Sequence, residues 1–275
     1  MSKKAMSSKI VTAQEEGEKI LHEQDEISAK EDNITTAKKL FGRIEEAPVV
    51  VKTEEPEWKK NLVVKFDKVS LKFTKEFYAL FNVSFEAFEG ENIAILGENE
   101  CGKTSILRLI ASLETPCTGT IKMFNKKPSK KLFQKEVMLG FLPENPVFLT
   151  KKTVLENMVY VKRIREKKTR TDSDVASGVL FDMGLVELKN KKISELSYFQ
   201  KQCLAVARLK FRPMDAILLD GVFDKMTEEE IKLFMDLIDK VKNEKTLIVF
   251  TTIDILTAKK YSTRIIKIEN GSILG

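Results

Sequence analysis

The stretch 92-NIAILGENECGKTSIL-107 decides the fold, because three local patterns meet in it. Residues 92–96 form a short apolar run, which predicts a buried strand. Residues 97–105 fit the pattern G-x-x-x-x-G-K-[S/T], and the segment that follows carries apolar side chains at three- and four-residue spacings, as an amphipathic helix does. A strand, a glycine-containing loop and a helix in this order predict a phosphate-binding loop at the end of the strand.

Each part of this loop has a chemical role in the predicted site. Backbone N–H groups of the loop and the positive end of the helix attract phosphate oxygens. Lys103 is predicted to reach the β and γ phosphates of a nucleotide, and the Thr104 hydroxyl is predicted to bind Mg²⁺. The nucleotide-binding residues predicted here are Gly97, Glu98, Asn99, Glu100, Cys101, Gly102, Lys103, Thr104 and Ser105.

A second apolar run, 216-AILLD-220, ends on a carboxylate. It predicts a buried strand, and Gly221 follows Asp220 at once. A buried aspartate without a ligand is costly in free energy. Asp220 is therefore predicted to hold the magnesium ion through water, opposite Thr104.

The rest of the chain alternates between strand and helix patterns. Runs at 61–73 and 78–88 predict strands ahead of the loop, and 246–252 predicts a later buried strand. Between them lie helical patterns, the last of which opens with a capping box from Thr227 to Glu230. The alternation predicts an α/β fold with an antiparallel β layer at its start.

Composition excludes several classes of function. The 275 residues include one histidine and three scattered cysteines, which leaves little material for a histidine triad, a zinc site or a disulfide framework. The net charge is +6, but no nucleic-acid partner is expected, because aromatic residues do not alternate with the basic ones; the lysine-rich stretch 125–136 predicts an exposed turn. No apolar run has the length of a membrane span, so a cytoplasmic location is predicted.

Residues 1–60 differ from the remainder of the chain. They are rich in charge and end in the stretch 45-EEAPVVVKTEEPEWKK-60, whose two prolines and alternating charges predict an extended linker. We expect a charged N-terminal extension and linker over 1–60 and the domain proper over 61–275.

Over residues 62–275 the order of motifs resembles the nucleotide-binding domain of ABC (ATP-binding cassette) ATPases. The stretch 139-LGFLPENPVFLTKKTVLENM-158 is similar to the family's glutamine loop, and 195-ELSYFQKQCLAVARL-209 to its signature helix. The stretch 216-AILLDGVFD-224 is similar to its Walker B strand, and 246–274 to its switch strand and closing hairpin. The resemblance implies a P-loop NTPase core of ABC type with an inserted helical subdomain at roughly 145–210.

The resemblance also implies ligands and partners. ATP and Mg²⁺ are the expected ligands, with Phe73 stacking on adenine and Glu144 joining Thr104 and Asp220 at the metal. ABC domains work as head-to-tail dimers, so Ser197 and Gln200 are expected to contact nucleotide across a homo- or heterodimer. A separate membrane-spanning subunit, and a peripheral position at the cytoplasmic face of a membrane, are implied as well.

Two departures from the family pattern concern hydrolysis directly. Gly221 stands where the family has the glutamate that polarises the attacking water, and Ile253 stands at the switch histidine. Neither side chain accepts a proton or a hydrogen bond. Asp224, in the turn that follows, is a candidate substitute, although its place in the motif points it toward the dimer contact.

Three further departures surround the phosphates. Glu100 replaces a glycine and adds negative charge, and Glu144 replaces the glutamine that gives its loop its name. In the signature, Tyr198 and Phe199 replace two glycines, and their rings are expected to obstruct a partner's γ-phosphate.

These residues predict an ATP-binding ABC subunit of a membrane transporter with weak or absent hydrolysis of its own. One alternative is an active transporter ATPase whose catalytic groups are displaced or supplied by a partner. Another is a soluble ABC-like regulatory module without a transporter.

Overall fold

The computed structural model describes residues 61–72, 74, 77–165 and 168–274. The predicted extension and linker over 1–60, and the predicted adenine contact at Phe73, lie outside the described residues.

The first sheet is antiparallel. It comprises β1 (Leu62–Lys72), β2 (Tyr78–Phe88) and β4 (Thr118–Met123), in the order β2-β1-β4. Phe66 and Phe85 face each other across β1 and β2, and their rings stack with centroids 4.6 Å apart. Such a cross-strand aromatic contact stabilises the register, and the predicted antiparallel layer is confirmed.

The second sheet carries the phosphate loop. Its strands are β3 (Asn92–Leu96), β5 (Leu139–Pro143), β6 (Ala216–Asp220), β7 (Leu247–Thr252), β8 (Arg264–Glu269) and β9 (Ser272–Ile273). They lie in the order β5-β6-β7-β3-β8-β9, parallel except for the antiparallel β8–β9 pair. Because β5, β6, β7 and β3 run parallel, the loops that follow them meet at one edge of the sheet, where ligands of open α/β sheets bind.

The helices follow the predicted segments in most places. In the described residues they are α1 (Lys103–Ile110), α2 (Lys130–Lys135), α3 (Val154–Arg165), α4 (Asp172–Asp182), α5 (Tyr198–Ala207), α6 (Glu228–Asp239) and α7 (Ile255–Tyr261). Three of them, α3 to α5, lie between β5 and β6 in the chain, as an inserted helical region requires. The bounds of that subdomain at 145 and 210 stay a prediction.

Both faces of the parallel sheet are buried. In β6 the side chains of Ile217 and Leu219 enter a core shared with α5 and α6, while Ala216 and Leu218 enter a second core shared with α1 and the antiparallel sheet. Successive side chains of a strand point to opposite faces, so a strand buried on both sides is apolar throughout. The burial holds Asp220 rigidly at the end of β6.

Helix capping explains one confirmation and one correction. Thr227 Oγ1 accepts from the Glu230 N–H and Glu230 Oε2 accepts from the Thr227 N–H, so the predicted capping box is present. The lysine-rich stretch was wrongly predicted as a turn throughout: α2 forms within it because Ser129 Oγ accepts from the Leu132 N–H and Leu132 is buried.

A second helix, besides α2, has no counterpart in the predicted pattern. The short helix α7 follows β7 and begins at a capping carboxylate, since Asp254 accepts from the N–H groups of Leu256 and Thr257. Within the described residues no helix combines the length and the apolar character needed to cross a bilayer.

Candidate nucleotide-binding site

The loop between β3 and α1 is built around two glycines that no other residue could replace without movement. A Cβ on Gly97 would lie 2.4 Å from the Ile268 carbonyl oxygen, and one on Gly102 would lie 2.6 Å from the Ala79 carbonyl oxygen. Gly102 also has φ +108°, in the region that side chains avoid. Close packing of β2 and β8 against the loop therefore imposes both glycines.

The lysine of the loop folds back over it. Lys103 Nζ donates to the carbonyl oxygens of Gly97 at 2.8 Å and Glu98 at 2.6 Å. The ammonium group thus lies beside the loop backbone, at the positive end of α1, where phosphate oxygens would be attracted.

The predicted metal ligands Thr104 and Asp220 are in direct contact. Thr104 Oγ1 donates to Asp220 Oδ1 at 2.8 Å, and Thr251 Oγ1 donates to the same oxygen at 3.3 Å. Burial raises the pKa of Asp220, against the hydrogen bonds from both threonines. A hydroxyl and a carboxylate at the phosphate loop are the hard oxygen ligands that Mg²⁺ takes beside nucleotide phosphates, so the residues present fit this ion.

Glu144 lies at the same edge of the sheet but is already paired. Directly after β5, its Oε1 forms an ion pair with Lys225 Nζ at 2.7 Å. Its backbone carbonyl accepts from Gln202 Nε2 of α5 at 2.7 Å. The carboxylate would have to leave Lys225, or share it, to become the predicted metal ligand.

The family model for ABC transporters matches residues 80–223, a range that contains the phosphate loop, Glu144, the signature and Asp220. This chain belongs to the ABC transporter family. The ABC family binds ATP and generally requires Mg²⁺, in agreement with the contact between Thr104 and Asp220.

Curated relatives of this ABC domain are ATP-binding proteins of transporters. It is 34% identical over 199 residues to the aliphatic sulfonates import ATP-binding protein of Shouchella clausii, covering 70% of this chain and 72% of that one. Identity is 27% to an arginine transport ATP-binding protein of Bacillus subtilis, over 77% of this chain and 90% of that one. A sulfate/thiosulfate import ATP-binding protein of Rhizobium meliloti is 31% identical over 72% of this chain, which spans 55% of the relative's length.

Solved structures agree with the family assignment. A dimeric bacterial ABC transporter cassette is 25% identical with a TM-score of 0.66, over 77% of this chain and 97% of the other. An ATP-binding cassette dimer in a post-hydrolysis state, bound to ADP and Pi, is 26% identical with a TM-score of 0.65 over the same shares.

In this ABC domain the signature residues Ser197 and Gln200 cap α5. Ser197 Oγ accepts from the Gln200 N–H at 3.2 Å, and Gln200 Oε1 accepts from the Ser197 N–H at 3.1 Å. This reciprocal capping box begins the helix and accounts for both residue types locally. Their contact with a partner's nucleotide stays a prediction.

The two aromatic residues of the signature are held by the chain itself. The Tyr198 hydroxyl donates to the Val222 carbonyl oxygen at 3.1 Å, and burial raises its pKa to about 12. Phe199 packs against the core that α5 shares with α6. Both rings lie in the first turn of α5. Their obstruction of a partner's phosphate stays a prediction.

The two positions expected to serve hydrolysis carry no polar side chain. Ile253 is 54% exposed directly after β7. Gly221 has φ +62°, and a Cβ there would meet only ordinary contacts, the nearest 3.5 Å away at Glu144 Cβ. A Cβ therefore fits at 221, at the cost of a left-handed backbone.

Sequence reasoning missed four residues around the site. Thr251 contacts Asp220, and Lys225 contacts Glu144. The available signal for Thr251 was a threonine inside the apolar run of β7. Tyr78 and Phe81 form an exposed edge-to-face ring pair, with centroids 5.5 Å apart, flanking the part of β2 that packs on Gly102. Two aromatic residues at the start of a strand were the signal for that pair.

Proposed function

We propose that this chain is an ATP-binding subunit of an ABC transporter that binds Mg-ATP and hydrolyses it slowly or not at all. It pairs head to tail with a second nucleotide-binding domain, its own copy or a different one. A separate membrane-spanning chain completes the transporter, and the subunit lies at the cytoplasmic face of the membrane.

One contrast within the site carries the proposal. Lys103, proposed to contact the phosphates, lies over the loop, and the proposed metal ligands Thr104 and Asp220 are hydrogen-bonded to each other. Gly221 and Ile253 supply no acceptor for the attacking water. Loss of a positioned general base costs on the order of 10²–10⁴ in rate, and here a second water-positioning group is absent too.

The proposal has two parts, binding of Mg-ATP and slow or absent hydrolysis. Nucleotide binding and phosphate release, measured on the purified full chain, test them separately. We expect Mg-dependent ATP binding that Lys103→Ala abolishes, because the ammonium group is proposed to contact the phosphates. We expect turnover that is slow or absent, and a rise of about 10-fold or more in Gly221→Glu, which restores one of the two missing groups. Fast turnover in the unaltered chain, sensitive to Lys103→Ala, contradicts the proposal.

A second candidate function, an active ATPase with a displaced catalytic group, is favoured by one observation. Asp224 lies beside Gly221, with Oδ2 3.6 Å from the position of a Cβ on that glycine. Turnover of the unaltered chain separates the two candidates.

Association with a membrane subunit needs its own measurement. Tagged full chain purified from detergent-solubilised membranes should bring with it one polytopic membrane protein in fixed stoichiometry, and nucleotide should alter the yield of the complex. Recovery of the chain only from the soluble fraction, without such a partner, would favour the soluble regulatory module.

A further inference from the structure

We propose that Asp224 provides the carboxylate that orients the attacking water in this chain, in place of the glutamate absent from position 221. The proposal rests on the proposed function in one respect, namely that the site binds Mg-ATP. It assigns the slow hydrolysis that remains to one named group.

Asp224 lies next to the position of the missing glutamate. Asp224 Oδ2 lies 3.6 Å from the position that a Cβ on Gly221 would occupy. That distance is comparable to the separation between Cβ and a carboxylate oxygen within a glutamate side chain. The carboxylate of Asp224 is therefore about as near to position 221 as the carboxylate of a glutamate there would be.

Asp224 differs from the neighbouring carboxylates in its partners. Among the described residues, three carboxylates lie near Gly221, and two have partners: Asp220 accepts from Thr104 and Thr251, and Glu144 pairs with Lys225. Within the described part of the chain, the carboxylate of Asp224 has neither a hydrogen bond nor an ion pair. Its lone pairs are therefore open to a water molecule.

The turn that carries Asp224 is held by packing and by a hydrogen bond. Val222 and Phe223 are buried, and the ring of Phe223 meets that of Phe250 edge to face with centroids 5.4 Å apart. The Val222 carbonyl oxygen is held by the Tyr198 hydroxyl. These contacts fix the backbone from which the Asp224 side chain extends, and they limit the positions that its carboxylate can take.

The charges facing Asp224 suit this role. Desolvation raises the pKa of Asp224; the Lys103 ammonium lowers it, the carboxylates of Glu144 and Asp220 raise it, and Lys225 lowers it. Lys103, the proposed phosphate-binding residue, thus also interacts electrostatically with Asp224. The Asp224 carboxylate is therefore within electrostatic range of the phosphate loop.

The step that Asp224 serves is attack of water on the γ-phosphorus of ATP. A bond forms between the water oxygen and the γ-phosphorus, and the bond from that phosphorus to the β–γ bridging oxygen breaks. The bonding electron pair leaves with ADP. Asp224 accepts the hydrogen bond of the water and takes its proton, which passes on to phosphate or solvent.

Phosphate release by the full chain with saturating Mg-ATP tests the assignment, using Asp224→Asn against Asp236→Asn. Asp236 is an exposed aspartate on α6, outside the site, and serves as the matched control. We expect Asp224→Asn to lower kcat about 10-fold or more, with the dissociation constant of Mg-ATP within about 2-fold of the parent. Asp236→Asn should leave both unchanged.

A double-substitution cycle distinguishes orientation of water from a structural role. If Asp224 stands in for the missing glutamate, Gly221→Glu should restore turnover in the Asp224→Asn background, so that the two effects are not additive. Sedimentation with ATP measures dimer formation, which should be unaltered by Asp224→Asn.

Three results overturn the inference: equal kcat in Asp224→Asn and the parent, a fall in kcat that follows loss of the dimer, or parental turnover no higher than that of Lys103→Ala. In the last case ATP binding can persist, and the proposed function stands without this assignment. Failure to bind Mg-ATP would instead contradict the proposed function itself.

Discussion

Glycines occur in the phosphate loop, which is expected to bind the nucleotide, and after β6, where the family has its hydrolytic glutamate. The physical reasons for the two differ. In the phosphate loop, a Cβ on Gly97 would lie 2.4 Å from a backbone oxygen. After β6, a Cβ on Gly221 would find its nearest neighbour at 3.5 Å, an ordinary contact with Glu144. Packing imposes the first glycine, whereas at the second only the left-handed φ favours one. The phosphate loop is sterically constrained at its glycine, whereas position 221 could hold a Cβ at ordinary contact distances.

The sharpest test of this difference is alanine at each glycine. Gly97→Ala should lower the free energy of unfolding by about 2–3 kcal/mol, because a backbone oxygen cannot give way as a side chain can. It should also weaken Mg-ATP binding at least about 10-fold, since the loop N–H groups would shift. Gly221→Ala, the matched control, should cost about 1 kcal/mol, from its backbone conformation alone. Urea unfolding and nucleotide titration measure both, and similar losses at the two positions would refute the contrast.

The next prediction concerns the stability of the segment after β7, which begins at the position of the family's switch histidine. Asp254 accepts hydrogen bonds from Thr257 and Leu256, and these hold the pKa of its carboxyl below the usual range. Asp254→Ala should cost about 1 kcal/mol of stability at neutral pH through loss of the cap of α7.

The pH dependence of this cap has a definite sign. Because the folded-state pKa of Asp254 is depressed, its stabilisation is complete above the unfolded pKa and is lost as pH falls through the folded one. The difference between the parent and Asp254→Ala should therefore shrink in acid. Asp254→Asn keeps a capping oxygen at every pH, so it should not follow this trend. Urea unfolding at neutral pH and at about pH 3 measures it, and a constant difference would be inconsistent with the cap.

The smallest expected effect concerns a strained residue in the phosphate loop. Glu100 adopts φ +65° in the phosphate loop, where a non-glycine residue is strained. Glu100→Gly should relieve more strain than its extra unfolded-chain entropy costs, for a net gain of about 0.5 kcal/mol.

Mg-ATP binding should tighten as well in Glu100→Gly, since a negative charge leaves the loop. Glu98→Gln removes a neighbouring exposed charge without altering the backbone, and is the control for the electrostatic part. Calorimetric titration and urea unfolding of both variants separate charge from strain. A loss of stability in Glu100→Gly would show that the loop holds φ +65° without strain.

Local patterns predicted the parts of the fold that depend on local chemistry. Alternation over 78–88 predicted β2 with the bounds that the structure has, and Thr227 with Glu230 predicted the capping box of α6. The helix α2 was missed, because lysines around a single buried leucine resemble a solvated turn.

Contacts between loops that follow different strands were not predictable in the same way. The ion pair of Lys225 with Glu144 and the hydrogen bond of Thr251 to Asp220 join residues far apart in the chain. No spacing rule connects them, since they meet only because β5, β6 and β7 are neighbours in the sheet.

The sequence by itself determined that this chain is an ABC domain equipped to bind a nucleotide, because the phosphate loop, Asp220 and the ordered motifs are local patterns. It also showed that Gly221 and Ile253 cannot accept a proton. Only the tertiary structure decided which carboxylates are occupied and which is open. Hydrogen bonds and ion pairs act over a few ångströms, so the state of Asp224 follows from the sheet that brings its neighbours together.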